Sequence, residues 1–70
     1  MNHWPSAKAK RLLAALLRIG WTIKRESGLR KSLQRTGRVD FVFAFQDKEE
    51  IGPRMLTRLA KHTGLKPEDL

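Results

Sequence analysis

The chain has 70 residues, with 15 Lys and Arg against 7 Asp and Glu, a net charge of +8. That length allows one domain, residues 1–70, built on one small core. The absence of cysteine excludes a disulfide framework and a thiolate metal site, and His3 and His62 have no metal-ligand spacing, so neither metal nor cofactor is expected.

In chain order, Ser6 can cap a helix over roughly residues 6–19. Ala9, Leu12, Leu13, Leu16 and Leu17 form its apolar stripe, with Lys8, Arg11, Ala15 and Arg18 opposite and Gly20 ending it. The segment is basic and amphipathic, like a transit peptide or a membrane-surface helix. Without it, too little apolar surface would remain to fold, so it is expected to belong to the domain. No uncharged apolar run approaches the roughly 20 residues of a membrane span.

From Trp21 the period changes to two. "WTIKRE" and "RKSLQR" flank a turn at Ser27-Gly28, and "GRVDFVFAF" follows Thr36-Gly37. Val39, Phe41, Phe43 and Phe45 alternate with Asp40, Val42 and Ala44, the pattern of a strand with its large residues on helices. Those rings, and Trp21, are expected in the core rather than as base-stacking platforms.

"DKEEIGPRMLTRLAKHTGL" returns to helical spacing, with Pro53 in the first turn and Gly64 at the stop. Ile51, Met55, Leu56, Leu59, Ala60 and Thr63 share one face, and Arg54, Arg58 and Lys61 the other; a short final turn can begin at Pro67. The expected fold is α+β in the order α-β-β-β-α, a three-stranded antiparallel sheet with both helices on one face.

The charge is segregated. Residues 1–38 hold ten Lys or Arg against one acid, a balance of +9, and residues 39–70 five against six, a balance of −1. This points to an anionic partner for the first half, nucleic acid above all. Lys24, Arg25, Arg30, Lys31, Arg35 and Arg38 cluster on the first two strands and their connections. Like charges opposed across a two-stranded ribbon destabilise it, and phosphates would offset that. The blander reading is a solvated edge kept basic against aggregation. Duplex DNA is a further possible partner, though no groove-reading helix favours it.

Other candidates carry less. His62 reads as a helix-end residue bordering the core, and His3 lies at the terminus. Asp47–Glu50 reads as a solvated acidic run that can favour a helix dipole. Ser27, Ser32 and Thr36 lack a histidine partner in sequence.

The element order, the Gly20-Trp21 pair opening the first strand, the Ser27-Gly28 turn and "IGPRMLTRLAKHTGL" together resemble the HicA (YcfA-like) toxins. The resemblance spans about Ala9 to Leu70. It implies a double-stranded-RNA-binding-like fold and a cytoplasmic, metal-independent mRNA endonuclease (an mRNA interferase) neutralised by a HicB antitoxin. The family signature is Gly-Ser-His in the hairpin, its histidine catalytic; here those positions read Gly28-Leu29-Arg30. A histidine frequent after the third strand in the family is Gln46 here. On this reading Arg30 holds the catalytic position, while Lys24, Arg25, Gly28, Lys31, Arg35 and Arg38 bind RNA. Arginine stays protonated in proteins and cannot serve as the base for a 2′-hydroxyl, although it can bind phosphate or stabilise developing charge. Two readings therefore stand: a HicA-type ribonuclease, and a catalytically impaired relative that binds RNA or its antitoxin.

Overall fold

A computed structural model describes residues 4–70. The elements are β1 (Ala7–Lys8), α1 (Ala9–Arg18), β2 (Thr22–Ser27), β3 (Arg30–Arg35), β4 (Arg38–Phe43), β5 (Glu50–Ile51), α2 (Pro53–Thr63) and a 3-10 turn (Pro67–Asp69). The expected α-β-β-β-α order is present, with β2, β3 and β4 forming an antiparallel meander in that spatial order. His3 lies outside the described residues.

A second, two-stranded sheet was not expected. Ala7 pairs with Ile51 and Lys8 with Glu50, so β1 and β5 form a short antiparallel clasp. It corrects the start of the first helix, which begins at Ala9 rather than Ser6. Its flanking residue, Lys8, is extended and makes no side-chain cap. The first amide groups of α1 donate instead to the main chain of the acidic run: Ala9 to the Glu49 carbonyl (2.8 Å) and Lys10 to the Asp47 carbonyl (3.0 Å). The run thus serves α1 through its carbonyls, satisfying donors that every helix start leaves open.

Helix α1 ends in a Schellman arrangement. The Trp21 amide reaches back to the Leu16 carbonyl and the Gly20 amide to that of Leu17, with Gly20 at φ +110°. The buried stripe of α1 is Ala9, Leu12, Ala15 and Leu16, so Ala15 lies inside and Leu17 remains exposed, the reverse of the sequence expectation. On α2, Leu56, Leu59 and Thr63 are buried and Met55 is exposed.

One apolar cluster gathers Leu12, Leu16, Trp21, Leu33, Phe43 and Leu56, with Phe41 and Phe45 packed against it. Leu33 and Phe43 supply the sheet's part of this core, and both helices cover that face. Trp21 is buried as expected; its Nε1–H donates to the Thr63 carbonyl at 3.0 Å and its ring meets Phe41 edge to face. The expected alternation fails at Val39, which is 88% exposed. Leu33 pairs with Phe41 but Arg35 with Arg38, so β4 carries an extra residue between those rungs. Such a bulge shifts the side chains beyond it out of phase, releasing Val39 from the core face.

Candidate nucleic-acid interface

The geometry of the basic hairpin follows from its turn. Ser27 pairs with Arg30, leaving Gly28-Leu29 as a two-residue loop and placing the turn one residue beyond the expected Ser27-Gly28. Gly28 has φ +58°, and no residue other than glycine has positive φ in the described chain. A positive φ at the first central position alone is the type II′ pattern, whose twist matches that of the flanking strands. Nothing lies within 4 Å of the place a Cβ would take on Gly28, so conformation, not space, requires glycine there.

The register distributes the charges. Ser27 stands across from Arg30, Glu26 across from Lys31, and Arg25 across from Ser32. No two cations oppose each other in this ladder, which corrects the expectation of like-charge repulsion across the ribbon. A bulge at Lys24 separates the Ile23–Leu33 rung from the Arg25–Ser32 rung. Since Leu33 and Phe43 face the helices, Lys31, which pairs with Phe43, is on that face too. Arg25, Ser27, Arg30 and Ser32 occupy the opposite, open face and line a shallow depression of about 350 Å³.

The six clustered cations, the five expected to bind RNA and Arg30 at the expected catalytic position, therefore separate into four groups. Arg25 and Arg30 share the open face near the turn. Lys24 is tied to Asp40 of β4 at 3.0 Å, with both side chains about half exposed; Lys31 is half-buried on the helix side. Arg35 and Arg38 pair directly at the far end of β3, five residues from Arg30 and hence roughly 17 Å away along the strand. These two do form a like-charged pair, and each turns toward a helix end. Arg35 Nε lies 3.2 Å from where a Cβ on Gly20 would stand, just beyond α1. Arg38 donates to the His62 carbonyl at 3.2 Å, in the last turn of α2. Cations are favoured at helix C-termini because the last carbonyls are unpaired and the dipole is negative there.

His62 is exposed, and its ring stacks on Phe41 with centroids 6.5 Å apart. It lines a separate depression with Gly37, Arg38 and Asp40, at the end of the sheet away from Gly28-Leu29. It thus sits where the sequence placed it, at a helix end beside the core, and away from Arg30. Among the described residues no cluster of His, Asp and Glu could hold a metal ion. Ser27 and Ser32, which have no histidine partner in sequence, lie beside two guanidinium groups, a placement that composition does not reveal. Reading Gly28 as the first residue of a type II′ turn would have placed Ser27 opposite Arg30 from sequence.

A family model described as the HicA toxin of bacterial toxin-antitoxin matches residues 9–65. No curated protein and no solved structure matches the chain significantly. The matched segment begins at the first residue of α1, takes in the whole meander and α2, and ends at the buried Leu65. Covering well over half of the sequence and all of its long elements, it shows that the chain belongs to the HicA toxin family.

Proposed function

We propose that this member of a toxin–antitoxin family acts on mRNA in the cytoplasm, holding the strand on the open face of the β2–β3 hairpin, and that a HicB-like antitoxin restrains it by covering that face. The observation that carries this reading is the state of the hairpin's charges. Among the described residues the ion pairs are Lys8–Glu50 and Lys24–Asp40, so Arg25 and Arg30 have no carboxylate partner. Unneutralised guanidinium groups on an exposed ribbon suit phosphate oxygens, which they contact by charge-assisted hydrogen bonds.

Family resemblance adds endonucleolytic cleavage, in which a base takes the 2′-hydroxyl proton and an acid protonates the leaving oxygen. Arg30, at the position of the family histidine, can stabilise charge on the phosphate but cannot take that proton. His62, at the other end of the sheet, does not supply it to the hairpin. General acid–base help typically contributes ~10²–10⁴-fold. The arginine thus favours a second reading, a HicA-type protein that binds RNA or antitoxin and cleaves weakly or not at all.

Expression without a partner, followed by incubation of the purified chain with mRNA in the presence of a chelator, separates the two. Growth arrest with chelator-insensitive cleavage supports the ribonuclease. Intact RNA with salt-sensitive binding supports the second reading, and absence of RNA binding overturns the ribonuclease and leaves only antitoxin binding of the second. Restored cleavage in the double variant Leu29→Ser, Arg30→His would identify this turn as the disabled catalytic position. A folded double variant that still leaves RNA intact would reject that identification.

A further inference from the structure

The geometry points to a phosphate cradle on the open face of the hairpin, in which Arg25 and Arg30 together grip a single backbone phosphodiester and Ser27 and Ser32 donate to its remaining oxygens. The inference rests on the RNA-binding reading and assigns the contact to four side chains.

The register builds this arrangement. Arg25–Ser32 and Ser27–Arg30 are rungs on the same face, two residues apart along each strand. The four side chains form a quadrilateral with arginines on one diagonal and serines on the other. Diagonal neighbours on a sheet stand about 7–8 Å apart at their Cα atoms, within reach of two long side chains converging on one anion. Two guanidinium groups offer planar forks of N–H donors, and the hydroxyls offer one donor each. No acceptor-only side chain lines the depression, and neither arginine is neutralised by a carboxylate among the described residues. The single acid of the ribbon, Glu26, points to the other face through its rung with Lys31 and Phe43.

Chemistry separates this cradle from a histidine-based site. Arginine keeps its charge across the neutral range, whereas histidine loses its charge there. A backbone phosphodiester keeps its single charge over the same range, so the cradle binds RNA with an affinity that is flat with pH, and an Arg30→His variant binds progressively more weakly as pH rises through neutrality.

The test uses the full chain, an unstructured single-stranded RNA oligonucleotide and, separately, inorganic phosphate. Arginine side-chain resonances are followed by NMR and RNA affinity is measured as a function of salt. RNA is expected to move the Arg25 and Arg30 resonances together. The double variant Arg25→Gln, Arg30→Gln is expected to lose about 100-fold or more in affinity, as for two charge-assisted hydrogen bonds. It should also lower the salt slope by about 0.7, one single-strand phosphate's worth. Both positions are exposed, so the fold should survive, and a normal amide spectrum checks it. RNA bound with unchanged affinity and slope by this variant would overturn the cradle and the placement of RNA on this face, while leaving RNA binding by the protein intact. Phosphate moving both arginines while RNA does not bind would keep the anion site and reject the RNA reading. If neither probe moves the two arginines, the cradle is refuted.

Discussion

The indole Nε1–H of Trp21 donates to the main-chain carbonyl of Thr63 at 3.0 Å, in the buried centre of the molecule. This bond joins the segment leaving α1 to the last turn of α2, and so fixes the two helices that support the sheet. Trp21 fills that place because the Schellman turn at Gly20 directs the residue after it inward. The open face of the hairpin thus rests on a scaffold tied together on the other side of the sheet.

Trp21→Phe keeps an aromatic ring but removes the donor and leaves the Thr63 carbonyl unpaired in the core. Stability should fall by about 2 kcal/mol, within the usual range for an unsatisfied buried group. Urea denaturation followed by circular dichroism measures it, and a loss below about 0.5 kcal/mol would show that the carbonyl finds another partner.

Gly28→Ala places a Cβ on a residue held at φ +58°. With open space around it, the cost is conformational, about 1–2 kcal/mol. The hairpin tip should loosen before the helices do. Faster amide exchange in Ser27 and Arg30 than in α2 would confirm this, whereas uniform destabilisation would contradict it.

Arg38→Ala removes the donor to the His62 carbonyl and the cation at the end of α2. The expected loss is about 0.5–1 kcal/mol of stability. Because Arg38 is engaged at the helix end, its RNA salt slope should change less than that of Arg30→Ala. An equal or larger change would return Arg38 to the RNA-contacting set.

Asp40→Asn releases Lys24 from its ion pair on the open face. An exposed pair contributes little, so stability should shift by no more than about 0.5 kcal/mol. RNA should bind somewhat more tightly at low salt, and the gain should vanish at high salt as screening grows. Weaker binding would mean that Asp40 itself takes part in recognition.

Much of the architecture was legible in the residues. Periodicity located both helices and all three long strands, because an amphipathic helix and a half-buried strand each leave a local repeat. Gly20 and Gly64 marked the helix ends, and both have positive φ. Trp21 and Phe43 were assigned to the core and are buried. Family membership was likewise readable from the order of elements and the motifs around Gly20-Trp21 and Gly64.

The distribution of function over the surface was not. Six cations between Lys24 and Arg38 read as one patch from sequence. The tertiary structure divides them into an open-face pair, an ion-paired lysine, a half-buried lysine and two arginines at helix ends. That division depends on strand register and on bulges at Lys24 and near Val39. Each is set by pairing between residues distant in the chain or by an extra residue that inverts side-chain phase, and neither leaves a local periodic signal. Composition and pattern were sufficient to determine that this protein has a basic hairpin on an α+β scaffold. Only the folded pairing decided that Arg25 and Arg30 stand together on its free side.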